Sequence, residues 1–327
     1  MKNLPFVSVA LPVRNEEEYI EEALMSLINQ DYPKNKYEII IADGMSTDRT
    51  VEIIKKIKRK YKRPKIRIYE NRKITTASGF NLCVKKSKSK YIVRFMGHAL
   101  AQKNFIKETV LKLLQEPKST IMVSCINSVA NKGGVGRLSG LAMKSFLGGT
   151  SSCYRIKKGY IYDYSGGFGA IRKKLFKEIG LIDEKIKCGD DAYFNLKSKL
   201  NNYNVLISPK TEVKIFKRKS IKKFVKQMFE FGKARMELIK KFPSSFKMLY
   251  LAPLLFFIYM LGVPLAFLYK LNWYYWPLFL YTILNMISSI EVSEKITDII
   301  PIFFLTFVLH LSYGAGEFLE ILNSSDF

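Results

Sequence analysis

The sequence contains few cysteines, and their spacing is not that of a metal site. Cys83, Cys125, Cys153 and Cys188 include no CxxC pair, so the 327-residue sequence predicts neither a zinc centre nor a disulfide framework. Reduced cysteines are typical of a cytosolic environment. The first residues enter a strand-like segment directly, so no signal peptide is expected.

The sequence also lacks a glycine-rich turn after its first strand-like segment. Residues 6–11 are apolar and β-rich, and the letters that follow are PVRNEEE. A Rossmann-type cofactor site needs glycines at this point, because the backbone has to approach a pyrophosphate. A P-loop is missing too. Both absences argue against a nicotinamide, flavin or P-loop enzyme.

Acidic residues are scarce and unevenly distributed. Residues 1–247 contain 52 Lys and Arg against 22 Asp and Glu, a net charge of +30, whereas residues 248–327 contain 2 against 6, a net charge of −4. A strongly basic surface attracts anionic lipid headgroups and also suits nucleic acid. The sequence has no aromatic and basic motif for nucleic-acid recognition, so we expect membrane lipids and no nucleic acid as partners.

Three uncharged runs occupy the C-terminal part of the chain. They cover residues 248–269, 271–290 and 299–316, and the last is interrupted by Pro301 and His310. A helix needs about 20 apolar residues to cross the hydrocarbon core of a membrane. The runs therefore predict about three transmembrane helices, and a buried helical subdomain is the alternative.

The segment before these runs is basic. Residues 217–247 hold eleven basic and two acidic side chains. The positive-inside tendency predicts that this flank and everything before it lie in the cytoplasm. We therefore expect a multi-pass cell-membrane protein with a cytoplasmic domain at 1–216, basic amphipathic interfacial helices at 217–247 and a membrane domain at 248–327.

Strand-like and helical segments alternate through the first domain. Strands are predicted at residues 6–11, 37–42, 66–69, 91–95 and 120–124. This alternation indicates βαβ units, an α/β fold and a mostly parallel central sheet. Ligands of such folds bind outside the carboxyl ends of the strands. The glycine-rich residues 125–165 predict irregular structure, either a mobile binding loop or a surface insertion.

Aspartates occur where the predicted strands and helices meet. Asp43 ends the second strand, where a carboxylate can accept hydrogen bonds from a nucleobase or a ribose. Asp48 lies near the start of the next helix and has a simpler alternative role as a helix cap. Asp190 and Asp191 follow a glycine, and they either cap the next helix or include a proton acceptor.

Several motifs, in order, resemble family 2 glycosyltransferases, which have the GT-A fold. VSVALPVRNEEEYIEEALMSLINQDYP followed by YEIIIADGMSTDRT resembles the opening of that family. The segments NRKITTASGFNLCVKKS, YIYDYSGGFGAIRKKLFKEIGLIDE, CGDDAYFNLKSKLNNYNV, KQMFEFGKARMELIKKFP and HLSYGAGEFLEIL resemble its membrane-associated branch, which includes succinoglycan-type transferases. The resemblance covers nearly the whole chain.

The resemblance implies an inverting transferase that moves a sugar from a nucleotide-diphosphate donor to a hydroxyl of a lipid-linked or glycan acceptor. Asp191 matches the family's catalytic base, and Asp190 stands where a Glu is more usual. The implied donor-binding residues are Pro12, Val13, Arg14, Asn15, Glu16, Asp43, Gly44, Asp48, Arg72, Asn81, Gln227 and Arg235, and the implied acceptor-binding residues are Gly166, Gly167 and Phe168.

The segment VRFMGHA departs from the family pattern. The family carries an acid-X-acid or acid-X-histidine motif there that binds Mn²⁺ or Mg²⁺, and Met96 replaces the first acid. A thioether is a poor ligand for these hard cations. His98 remains as a candidate metal ligand, with a hydrogen-bonded turn residue as the alternative. Basic side chains are the other means of neutralising a leaving diphosphate.

Alternatives to a glycan transferase follow from the same residues. A polyprenyl-phosphate glycosyl synthase shares the fold, and a binding-only relative would explain Met96. The helix at 217–247 has a second interpretation as a membrane-surface element whose Phe224, Met228 and Phe231 face lipid.

Overall fold

The computed structural model describes residues 4–149 and 159–323. The chain divides into two compact units. The first contains Met1–Ala130 and Ser151–Phe216, and the second contains Asn131–Thr150 and Lys217–Phe327. Residues 131–149 therefore leave the first unit in sequence and fold with the C-terminal helices.

The first unit is built on one sheet. Within the described residues it has nine strands: β1 Val7–Val13, β2 Tyr37–Asp43, β3 Lys65–Glu70, β4 Tyr91–Arg94, β5 Ala99–Ala101, β6 Thr120–Val129, β7 Ile161–Tyr162, β8 Gly169–Arg172 and β9 Asn204–Ile215. The strand order is β3-β2-β1-β4-β8-β6-β9-β5, and β7 pairs with β9.

The sheet is mixed, which corrects the expectation of a mostly parallel one. Strands β3, β2, β1 and β4 are parallel. Beyond β4 the pairing changes, because β8 is antiparallel to both β4 and β6. The parallel strands β1 and β2 are buried along nearly their whole length, as expected for strands that helices cover on both faces.

Helices pack on this sheet through apolar faces. They are α1 Ile20–Ile28, α2 Thr50–Lys60, α3 Thr76–Lys86, α4 Phe105–Gln115, α6 Leu175–Glu178 and α7 Asp190–Leu200, while α5 belongs to the second unit. In α1 the buried residues are Ile20, Ala23, Leu24, Leu27 and Ile28, which is the apolar face that the helical period predicts.

The sheet has a topological switch point at β1. From β1 the chain proceeds to β2 and β3 on one side, and β4 pairs on the other side. In open α/β sheets the connections on either side of such a point diverge, and a crevice opens at the carboxyl ends of the two strands. The loops after β1 and β4 therefore meet at the place where a ligand is expected.

Residues 125–165 are more regular than the sequence predicted. Strand β6 continues to Val129, and α5 occupies Gly134–Lys144. Both were missed because polar and glycine-rich letters weaken the periodic signal. Residues 150–158, which include part of the predicted loop and Cys153, lie outside the described residues.

The second unit is helical. It contains α5, α8 Ile221–Lys241, α9 Ala252–Leu268, α10 Trp276–Val292 and α11 Ile299–Leu322. Helix α11 packs against the other four. A Cβ added at Gly232 of α8 would lie 2.0 Å from the carbonyl oxygen of Tyr313, so the backbones of α8 and α11 are in direct contact.

Two segments of the described chain are long and apolar enough to cross a membrane: Met248–Leu268 and Ile296–Leu322. The second predicted run forms α10, which is not one of these two segments. Pro301 does not interrupt the third run, because it is the third residue of α11, where a helix needs no amide donor. Three spans were expected, and two segments meet the criteria of length and composition.

Helix α5 is tied to the other helices of its unit by polar contacts. Arg137 pairs with Glu294 at 2.7 Å and also with Asp298. Near the end of the same segment, the carbonyl oxygen of Leu147 lies 3.0 Å from Nε2 of His310.

Candidate active site

Hydrogen bonds join the turns after β1 and β2 around Asp43. Its carboxylate accepts hydrogen bonds from the hydroxyl of Ser46 at 2.6 Å and from the Ser46 amide at 3.2 Å. The Asn15 amide donates to the same hydroxyl at 3.0 Å, and Asn15 Oδ1 accepts from the Thr47 amide at 2.9 Å. Asn15 has a φ of 51°, a conformation that asparagine tolerates better than most residues. These contacts hold Asp43 at the carboxyl end of β2.

Asp48 serves the backbone. One carboxylate oxygen accepts from the Glu17 amide at 3.1 Å and the other from the Thr50 amide at 3.0 Å. Burial alone would raise the pKa of Asp48, but hydrogen bonds from Thr50 and Glu17 outweigh it, so the pKa lies below its ordinary value. This is the capping role weighed for Asp48, and its predicted contact with a donor remains a prediction.

Close backbone approaches shape the rest of this edge. A Cβ added at Gly79 of α3 would lie 3.0 Å from Cβ of Pro12, and one added at Gly44 would lie 3.0 Å from the carbonyl oxygen of Ile74. Val13 is buried at the end of β1, whereas Arg14 is exposed. The predicted donor residues after β1 and β2 therefore lie together at one end of the sheet.

A carboxylate–imidazole pair spans the switch point. Oε1 of Glu16, in the loop after β1, lies 2.7 Å from Nδ1 of His98, in the turn after β4. A Cβ added at Gly97 would lie 3.0 Å from Cγ of Glu16, and the Phe216 amide donates to the carbonyl oxygen of His98 at 2.9 Å. The turn is thus fixed from both sides, and among the described residues Nε2 of His98 has no hydrogen-bond partner.

The turn after β4 itself carries no carboxylate for a hard divalent cation. Met96 is half-buried and packs against the apolar core of the first unit. Among the described residues, no group of three or more His, Cys, Asp or Glu side chains could hold a metal. Mg²⁺ and Mn²⁺ prefer oxygen ligands, whereas the turn itself offers one imidazole and one thioether, and the carboxylate beside it is that of Glu16.

Asp190 and Asp191, at the start of α7, have different surroundings. Asp190 is buried, and its Oδ2 lies 2.6 Å from a guanidinium nitrogen of Arg94, the last residue of β4. Burial raises the pKa of Asp190, while the charge of Arg94 acts against that rise and the neighbouring Asp191 adds to it. Arg94 was not among the predicted site residues, although a charged residue at the end of a buried strand needs a partner.

Asp191 is partly exposed and lies beside the glycine-rich segment. A Cβ added at Gly167 would lie 3.0 Å from Oδ2 of Asp191, so a larger residue there would crowd the carboxylate. The side chain of Asn195 donates to the carbonyl oxygen of Gly166 at 2.7 Å, which fixes the segment against α7. Phe168 is 3% exposed and belongs to the core, and the Ser124 hydroxyl donates to its carbonyl oxygen at 2.6 Å, so its contact with an acceptor stays a prediction.

Asn81 and Arg72, both predicted to bind the donor, have different surroundings. Asn81 is buried on α3, where its Nδ2 donates to the carbonyl oxygen of Ile182 at 2.7 Å and its Oδ1 accepts from the Ile182 amide at 3.1 Å. Arg72 is exposed, with Glu70 at 3.5 Å. Asn81 therefore holds the chain that leads to α7, and Arg72 is accessible.

A family model described as "Glycosyl transferase family 2" matches residues 8–180. This chain belongs to glycosyl transferase family 2. The Methanococcus voltae protein dolichyl N-acetyl-alpha-D-glucosaminyl phosphate 3-beta-D-2,3-diacetamido-2,3-dideoxy-beta-D-glucuronosyltransferase is 30% identical over 318 residues, covering 94% of this chain and 95% of that protein. The succinoglycan biosynthesis protein ExoA of Rhizobium meliloti is 23% identical, covering 69% of this chain and 68% of its own length.

Solved structures confirm the fold. A mannosyltransferase of Pyrobaculum calidifontis, PcManGT, in complex with GDP-Man and Mn²⁺, superposes with a TM-score of 0.62 at 16% identity, covering 98% of this chain and 88% of that one. TarS of S. aureus in complex with UDP-GlcNAc superposes with a TM-score of 0.54 at 16% identity, covering 97% and 92%. The family 2 chain is a glycosyltransferase with the GT-A fold, as the resemblance implied.

The last two predicted donor residues of this glycosyltransferase, Gln227 and Arg235, lie on α8 in the second unit. The guanidinium of Arg235 lies 4.3 Å from the ring centroid of Tyr250. Phe224 and Met228 of the same helix are buried against α5 and α11, and the partly buried Phe231 packs on that cluster, so the prediction that Phe224 and Met228 face lipid is wrong. The donor role of this helix stays a prediction.

Proposed function

We propose that this family 2 glycosyltransferase moves a sugar from a nucleotide-diphosphate donor to a hydroxyl of a lipid-linked glycan, with inversion at the anomeric carbon. The acidic turn of α7 carries the proposal. Asp190 is buried against Arg94, whereas Asp191 is partly exposed beside Gly167. A single in-line displacement needs one such carboxylate to accept a proton.

The reaction balances with Asp191 as the base. Its carboxylate takes the proton of the acceptor hydroxyl while the oxygen attacks the anomeric carbon. The bond from that carbon to the donor phosphate oxygen breaks, and its electron pair leaves with the nucleoside diphosphate. The Asp191 carboxylate lies in the first turn of α7, where the positive end of the helix dipole stabilises its negative charge.

The donor is proposed to lie over the carboxyl ends of β1, β2 and β4. Asp43 accepts hydrogen bonds from the nucleoside, and the diphosphate lies in the crevice near His98. Charge that develops on a leaving group needs donors fixed in advance. Because Met96 leaves the turn without an oxygen ligand, we propose that His98, oriented by Glu16, faces the leaving group in place of a protein-held metal.

The acceptor and location are inferred from the second unit and the relatives. Two segments are long and apolar enough to span a membrane. The Methanococcus voltae relative is named for a dolichyl-phosphate-linked substrate. We propose a catalytic domain at 1–216 on the cytoplasmic face, followed by an interfacial segment at 217–247 and a membrane domain at 248–327, because the basic residues precede the first span.

A binding-only relative is the second candidate. The observation that favours it is Met96, which packs into the core where the family has an acid. Such a protein would bind nucleotide sugars without releasing nucleotide.

One assay separates these functions. The purified full chain in detergent is incubated with a panel of nucleotide sugars and a lipid extract, with Mn²⁺ or with EDTA. We expect nucleotide release that depends on the lipid extract and a sugar that appears in a lipid-linked oligosaccharide. Transfer to a polyprenyl phosphate would favour the synthase. Nucleotide binding without any release would favour the binding-only protein.

A further inference from the structure

A buried ion pair joins the end of β4 to the first turn of α7. The side chain of Arg94 is 3% exposed and that of Asp190 is 10% exposed, and the two lie 2.6 Å apart. Arg94 ends β4, and Asp190 is the first residue of α7, directly after Gly189 with its φ of 73°. The pair connects elements that are 96 residues apart in sequence.

Apolar groups enclose the pair. The Arg94 guanidinium lies 5.0 Å from the ring centroid of Phe80 on α3. Phe176 lies between Phe80 and Phe194 of α7, at 5.9 Å and 5.3 Å between ring centroids. Charges in such surroundings interact strongly when they are paired, and removing one partner leaves the other buried and uncompensated.

The position of the pair connects it to Asp191. Asp190 and Asp191 are consecutive in the first turn of α7, so what fixes one fixes the backbone of the other. Oδ1 of Asp191 accepts from the next amide in the helix, that of Ala192, at 2.9 Å. Among the described residues Asp191 has no ion-pair partner. Its place beside Gly167 therefore depends on how the first turn of α7 is held.

We infer that Arg94 is a positioning residue for Asp191, acting through Asp190. The ion pair anchors the first turn of α7 to the end of β4 and keeps the Asp191 carboxylate beside Gly167. The inference rests on the proposed role of Asp191 as the base. A misplacement of about 1 Å at a reacting group can cost about 100-fold in rate, so a loosened turn lowers kcat without removing a contact to substrate.

The test is a double-mutant cycle in the full chain. The variants are Arg94→Met, Asp190→Asn and the double variant Arg94→Met/Asp190→Asn, with Arg94→Lys as a conservative comparison. Each is measured for kcat and donor KM, with the donor that the wild type turns over, and for its thermal unfolding midpoint. We expect each single variant to lower kcat by about 10- to 100-fold with a much smaller change in donor KM.

The double variant separates positioning from stability. It contains no buried unpaired charge, so it should recover much of the thermal stability that Arg94→Met loses. Its kcat should stay low and should be no lower than that of the worse single variant, because both singles break the same pair. Arg94→Lys, which keeps the charge and loses the planar fork, should have an intermediate kcat.

Three results would overturn the inference: wild-type kcat in Arg94→Met, recovery of kcat together with stability in the double variant, or losses in the two singles that multiply in the double. If Arg94→Met does not fold, the double variant and Arg94→Lys give the same readouts. Failure of the proposed function looks different, because Asp191→Asn would then turn over normally. If Asp191→Asn is inactive and Arg94→Met is fully active, only the positioning role of Arg94 is contradicted.

Discussion

Two regions of the first unit each carry a pair of aspartates, and the protein holds the two pairs differently. After β2, Asp48 caps backbone amides with both oxygens, and Asp43 is held by Ser46. At α7, Asp190 is buried against Arg94, and Asp191 is partly exposed. The difference lies in the groups that hold Asp48 and Asp190.

Neutral amides hold Asp48 near the surface, whereas a charged guanidinium holds Asp190 in an apolar pocket. The first arrangement contributes modestly to stability, like other helix caps. The second ties two distant elements together and is costly to break. From this contrast we expect the acidic turn of α7 to govern the rate and the turn after β2 to govern donor affinity and local stability.

The largest expected effect is that of Asp191→Asn. The amide keeps the shape of the side chain but cannot take up the proton of the acceptor. A general base contributes about 10²- to 10⁴-fold to rate, so kcat should fall by that order. Single-turnover nucleotide release measures it, and unchanged binding of the donor is the control. A variant with wild-type turnover would remove Asp191 from the mechanism.

Asp43→Asn should act mainly on donor binding. It removes a charged acceptor while the Ser46 hydroxyl can still donate to the amide oxygen. Hydrogen bonds to charged groups contribute about 1.5–3 kcal/mol, so donor KM should rise by roughly 10- to 100-fold with a smaller change in kcat. Ser46→Ala, which removes one of the two hydrogen bonds to Asp43 and keeps its charge, is the matched control and should show a smaller rise. Equal donor KM in Asp43→Asn and wild type would contradict the nucleoside site.

Met96→Asp tests the turn after β4, where Met96 stands in place of the family's acidic residue. It adds an oxygen ligand next to His98, so the activity should become several-fold more sensitive to EDTA and to added Mn²⁺. Met96→Asn has the same shape without the charge and should respond to EDTA as the wild type does. If Met96→Asp leaves the metal response unchanged, residue 96 does not lie at the leaving group.

The smallest effect is expected at Asp48. Asp48→Ala should lower the free energy of unfolding by about 1 kcal/mol, as loss of a cap does. The folded-state pKa of Asp48 is lowered, so its contribution is present above the unfolded pKa and is lost as pH falls through the folded value. The thermal midpoint of the variant should therefore converge with that of the wild type in acid. A difference that grows in acid would contradict the cap.

The sequence predicted what local patterns determine. The spacing of apolar residues predicted β1 to β4. It also placed Asp43 at the end of a strand and Asp191 at the start of a helix. The motifs predicted membership of glycosyl transferase family 2, which the comparisons confirmed. The antiparallel strand β8 was missed because glycine-rich letters carry no strand period, and it is one of the strands that make the sheet mixed.

Pairings between distant residues could not be predicted in this way. Glu16 meets His98, and Arg94 meets Asp190, only because β1 and β4 are neighbours and the first residue of α7 lies beside the last residue of β4. Which of two adjacent aspartates is buried depends on the angle of a helix, and a spacing rule gives no information on that. The sequence named both acids, and the fold distinguishes them.

The most direct test of the central claim is the anomeric configuration of the first-formed product. One free carboxylate at Asp191 supports a single displacement, so the configuration of the transferred sugar should be opposite to that in the donor. Proton NMR of the anomeric coupling, recorded on the lipid-linked product, measures this. We expect complete inversion, and retention of the donor configuration would contradict a single displacement.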